Sequence, residues 1–105
     1  MSHAARLREL NITLPDAPAP AANYVPYVQT GNLLFVSGQI SSGPDGLIKG
    51  RLGADMNVTQ GAAAARACGL ALLAQANAAL GSLDRVARVV KLTGFVASTP
   101  EFKIG

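Results

Sequence analysis

The residues best placed to do chemistry are Ser37-Gly38-Gln39, which close the apolar run Leu33-Leu-Phe-Val36. At a strand end, the missing Cβ of Gly38 lets a ligand approach the backbone, and the adjacent amides can donate to an anionic group. The alternative is a strand end that uses glycine to bend. Ser37 does not read as an activated nucleophile, because the single histidine, His3, lies close to the N-terminus and no base stands beside the serine.

Other reactive residue types point to structure. Cys68, the one cysteine, sits among alanines and leucines, where a cysteine behaves as a small buried hydrophobe rather than a reactive thiolate. It has no partner for an internal disulfide, and with one histidine there is no Cys/His zinc set. Asp16, Asp45, Asp55, Asp84, Glu9 and Glu101 are scattered, with no pair at ligand spacing, so no metal is expected. Gly43 to Gly53 lacks the Gly-Lys-Ser/Thr ending of a phosphate loop, so no nucleotide cofactor is expected either.

The formal charge is +3, but the nine basic residues are spread from Arg6 to Lys103, which reads as a solvated surface rather than a nucleic-acid footprint. Arg88 and Lys91, three apart on an expected strand, point to opposite faces. Ala62 to Leu80 is interrupted by Arg66, Gly69, Gln75 and Asn77 and fails as a membrane span of about 20 apolar residues. Met1 to Leu14 carries Arg6, Arg8 and Glu9 and does not read as a signal peptide, so a cytoplasmic location is expected.

The elements that must position these residues follow from patterning. Residues 1–22 read as a lead-in arm, with a short helix over Ala4 to Leu10 and then three prolines, Pro15, Pro18 and Pro20, that favour extended chain. Tyr27 to Thr30 and Leu33 to Ser37 read as strands of a hairpin around Gly31-Asn32, whose residues tolerate positive φ. Pro44-Asp45-Gly46 marks a turn into a third strand over Leu47 to Leu52. Thr59 to Leu80 reads as one helix, capped by Asn57 or Thr59 and ended by Gly81, with Ala62, Ala65, Gly69, Leu72, Leu73, Ala76 and Leu80 near its buried face. Val86 to Val96 is β-branched and alternating and is expected to return as a strand to the same sheet. The result is an α+β, β-β-β-α-β arrangement with a long helix on one face of a sheet, and half the residues are apolar, enough for a core.

The segment YVPYVQTGNLLFVSGQI (Tyr24 to Ile40), preceded by the Ala-Pro-rich Ala17 to Ala22 and followed after one helix by Arg88-Val-Val-Lys-Leu-Thr-Gly-Phe-Val96, resembles the RidA/YjgF family, also called the endoribonuclease L-PSP family. The resemblance covers roughly residues 10 to 100 and implies a chorismate-mutase-like fold over 23–105, incomplete at its C-terminus. It implies hydrolysis of enamines or imines such as 2-aminoacrylate, and alternatively a non-catalytic small-molecule-binding or assembly module. RNA cleavage, suggested by the family's older name, is the weakest implication. Tyr27 matches the family tyrosine that approaches the pocket, and Ser37, Gly38 and Gln39 match the segment that lines it. The expected ligand is a small carboxylate or imine, and the expected assembly is a homo-oligomer, a trimer by resemblance, with Lys91 and Phe95 in structural or subunit-boundary roles, Phe95 alternatively in the core. The family's carboxylate-gripping Arg, its second-helix Asn and its late Glu are expected beyond Gly105 and correspond to no residue here.

Overall fold

The computed structural model describes residues 2–20 and 22–103. Met1, Ala21, Ile104 and Gly105, which belong to the expected arm and to the expected end of the domain, lie outside the described residues. Two compact units are present, one formed by residues 1–39 and 69–89 and the other by residues 40–68 and 90–105.

The first unit opens with helix α1 (His3–Glu9). Ser2 caps it through an Oγ that accepts from the Ala5 amide at 3.0 Å, and Asn11 follows in the left-handed conformation at φ 57°. Asp84 Oδ1 accepts from the His3 and Ala4 amides at 2.7 and 3.2 Å, tying the first turn of α1 to the 3-10 turn Leu83–Arg85. Strands β1 (Tyr27–Thr30) and β2 (Leu33–Val36) then pair antiparallel, with Tyr27 opposite Val36 and Thr30 opposite Leu33. The hairpin is as the sequence predicts, except that only Gly31 has positive φ, at 56°, with Asn32 on the ordinary side. Glycine at the first central position is the pattern of a II′ turn, which matches the twist of the flanking strands.

In the second unit, β3 (Ser42–Gly43) and β4 (Gly46–Leu47) form a small hairpin around Pro44-Asp45. The expected third strand stops at Leu47. Beyond it, the Arg51 amide donates to Asp55 Oδ1 at 2.7 Å, and Leu52 makes only isolated bridges to Met56 and Ser98. The carboxylate takes a donor that a strand would have placed in a ladder.

Helix α2 (Val58–Leu80) runs through the alanine-rich stretch. Asn57 and Gln60 exchange backbone-to-side-chain hydrogen bonds, each 2.8 Å, which is a capping box built with amides. Gly81 ends the helix at φ +79°, its amide bonded to the Asn77 carbonyl. The buried positions are Ala71, Ala74 and Gln75, whereas Ala62, Ala65 and Leu73 are exposed, so the inward face is rotated from the one apolar patterning indicates. A polar residue is the deepest side chain on that face, and apolar patterning counts it as outward. By length and composition α2 is long and apolar enough to cross a membrane, which corrects the expectation for Ala62 to Leu80. Alanine supplies that apolar character at little cost in a water-exposed helix.

Two further expectations are corrected. Residues 87–96 join no strand ladder among the described residues. Val89, Val90, Leu92 and Val96 are all exposed, and Phe95 is 96% exposed, so it is not a core residue of this chain. A strand needs a hydrogen-bonded neighbour, and none of the described strands pairs with this segment. The buried apolar residues are Ala71, Ala74 and Leu83 alone among the described residues, a smaller core than the composition suggests.

Candidate functional site

The site is built where β2 ends. The ladder continues one step past the Tyr27 and Val36 pair, because the Ser37 amide donates to the Pro26 carbonyl at 2.9 Å. The Ser37 hydroxyl then donates to the Val25 carbonyl at 2.6 Å. Proline has no amide hydrogen, so Pro26 cannot return a bond to the Ser37 carbonyl, which accepts from Gln39 Nε2 instead, and the serine hydroxyl adds a separate side-chain bond to Val25. With its proton given to a carbonyl, Ser37 Oγ can accept from a ligand but has no base to make it a nucleophile.

Gly38 follows with negative or extended φ, and a Cβ built on it meets nothing within 4 Å. The space over the strand end is open. Among the described residues the Gly38 and Gln39 amides have no hydrogen-bond partner, which leaves two main-chain donors at the strand end without one. Tyr27 is half-buried, and its hydroxyl has no partner among the described residues. It lies opposite Val36, and residues directly opposite on paired strands share a face of the hairpin.

The Gln39 side chain turns back on its own strand. Its Nε2 donates to the Ser37 carbonyl at 2.9 Å and to the Gly38 carbonyl at 3.3 Å. Its Oε1 faces Gln75 of α2, whose Nε2 stands 3.5 Å away and also donates to the Pro18 carbonyl at 2.6 Å. Gln75 is 2% exposed. Patterning alone missed Gln75 and Pro18; the signal available was a glutamine interrupting an alanine-rich helix.

The remaining candidates have bland surroundings. Cys68 is a free, half-buried thiol. Arg88 and Lys91 are exposed. In the second unit an open groove is lined by Gly53 to Val58, Gln60 and Phe102, but Asp55, Asn57 and Gln60 are already committed to backbone amides. Among the described residues, no group of three or more His, Cys, Asp or Glu side chains could hold a metal ion.

Comparison with known proteins gives this geometry its context. The family profile "Endoribonuclease L-PSP" matches residues 14–104. The Trypanosoma cruzi protein named "Protein TCP17" is 56% identical over 100 residues, covering 94% of this chain and 62% of its own. Among solved structures, the Agrobacterium tumefaciens protein Atu1372, described as of unknown function, is similar with a TM-score of 0.81 and 48% identity, over 94% of this chain and 61% of that one. A Shewanella oneidensis protein described as a "putative endoribonuclease" is similar with a TM-score of 0.75 and 37% identity, over 81% of this chain and 57% of that one. The chain thus spans about three-fifths of the length of these relatives. Its α+β elements fit the chorismate-mutase-like fold, and the match over nearly the whole sequence places the chain in the endoribonuclease L-PSP family, the RidA/YjgF family.

Proposed function

We propose that this chain carries the small-molecule-binding part of a RidA-like protein that hydrolyses 2-enamines or 2-imines to 2-keto acids and ammonia. The observation that carries this reading is the pair of unpartnered amides at Gly38 and Gln39 beside an open glycine. An unpartnered N–H at this strand end can donate to a carboxylate oxygen, the hydrogen bond being charge-assisted. Ser37 Oγ adds an acceptor for an imine N–H, and Tyr27 adds a phenol at the same end of the hairpin. Hydrolysis adds water to the imine carbon and breaks its bond to nitrogen, so it needs a positioned water and a proton carrier as well as the carboxylate anchor.

The test is a titration of the isotopically labelled chain with pyruvate, a stable 2-keto acid. The Gly38 and Gln39 amide resonances are expected to shift most and saturably. Shifts that spare both amides would remove this reading. In parallel, the imine released by an amino-acid oxidase is followed with and without the chain.

A second reading, a non-catalytic binding or assembly module, is favoured by one observation. The Ser37 hydroxyl and the Gln39 side-chain amide are already committed to backbone carbonyls, which leaves Tyr27 as the one side chain of the proposed site able to move a proton. Pyruvate binding without faster imine decay would select it. RNA cleavage enters through the family name and the Shewanella relative, and the scattered basic residues argue against it. Within the same proposal, residues 1–22 act as a lead-in arm to a 23–105 domain. The protein is cytoplasmic and assembles as a homo-oligomer, a trimer by family resemblance.

A further inference from the structure

We propose that Gln75 is a positioning residue for the ligand site, fixing through Gln39 the strand end that presents the Gly38 and Gln39 amides. This inference rests on the binding role of Ser37-Gly38-Gln39 given above. The order of hydrogen bonds has one self-consistent assignment. The Pro18 carbonyl can only accept, so Gln75 must turn its amide nitrogen toward it, at 2.6 Å. The second proton on that nitrogen faces Gln39, 3.5 Å away, and Gln39 must answer with its oxygen. The Gln39 nitrogen is then left to donate to the Ser37 and Gly38 carbonyls.

A carbonyl in the proline-rich arm therefore orients a side chain in the site through one buried amide. Were Gln39 reversed, its oxygen would face two carbonyl oxygens and the strand end would have to turn. Gln75 is the only buried polar side chain among the described residues, and removing its donors leaves the Pro18 carbonyl and Gln39 Oε1 without that partner. Gln75 touches no substrate in this account, since its influence passes through Gln39.

The experiment uses the variants Gln75→Met, Gln39→Met and the double variant, each read by pyruvate titration and by relaxation of the side-chain amide resonances. Gln75→Met is expected to make the Gln39 side-chain amide mobile and to weaken pyruvate about tenfold, the scale of one lost hydrogen bond. In the Gln39→Met background it should change pyruvate affinity no further, because the relay is already broken. The same loss of affinity in both backgrounds, or an unchanged Gln39 amide, would overturn the proposal. Should Gln75→Met not fold, the unliganded wild-type chain decides. A Gln39 side-chain amide as rigid as the backbone supports the relay, and one as mobile as a surface glutamine refutes it. If wild-type chain binds no pyruvate, the ligand reading fails, while the relaxation measurement still judges the relay.

Discussion

The Ser37 hydroxyl donates to the Val25 carbonyl at 2.6 Å, a side-chain bond that adds to the Ser37 amide's bond to Pro26 and ties the end of β2 to the residues before β1. Ser37→Ala is expected to cost about 1 kcal/mol of stability, the net worth of one such bond, seen as a lower urea midpoint at unchanged slope. Pyruvate binding should fall no more than a few-fold. A serine-directed phosphonate is expected to leave Ser37 unlabelled, and stoichiometric labelling there would show an activating base that this geometry lacks.

Gly38→Val separates folding from binding. Its φ is not in the left-handed region and the added side chain meets open space, so stability should change by less than about 0.5 kcal/mol. Pyruvate binding should fall by tenfold or more, because the new side chain fills the approach to the two amides. Parallel loss of melting temperature and binding would identify Gly38 as structural instead.

Gly53 and Gly31 both have positive φ, yet they differ in surroundings. A Cβ at Gly53 would stand 2.5 Å from Thr99 Oγ1 and 3.3 Å from Phe102, whereas at Gly31 it meets nothing within 4 Å. Gly31→Ala should therefore cost about 1 kcal/mol, the conformational term alone. Gly53→Ala should cost clearly more, on the order of 2–3 kcal/mol, since overpacking adds to strain. Denaturant melts of the two variants side by side test the order.

Substituting Cys68 by Ala should cost on the order of 1 kcal/mol or less, since the thiol is only half-buried. Pyruvate binding should be unchanged, measured beside the wild-type chain. Abolished binding at an unchanged melting temperature would mark the thiol as functional.

Phe95 reports on assembly. At 96% exposure it contributes nothing to the fold of a single chain, so Phe95→Ser should leave a monomer's stability within about 0.5 kcal/mol. Unpaired backbone and apolar side chains over residues 90–96 favour pairing with another chain. Sedimentation equilibrium is expected to show a homo-oligomer for the wild type and weaker association for the variant. A single folded species of about 11 kDa across the concentration range would refute the assembly.

What the sequence determined by itself was local. Gly31, the Pro44-Asp45-Gly46 turn, Asn57 at the helix start and Gly81 at its end each act through backbone geometry within a few residues, and each appears where its residue type demands. The strand-ending Ser37-Gly38-Gln39 was legible for the same reason, together with the family to which its flanking motifs belong. Tertiary structure alone decided which face of α2 turns inward, because Gln75 gains there a partner in Pro18, far away in sequence, that no periodicity of apolar residues reveals. It also decided the fate of Val86 to Val96. β-Branched alternation makes that segment fit for a sheet, but a ladder forms only against a second strand, and strand propensity carries no information about whether such a neighbour is present.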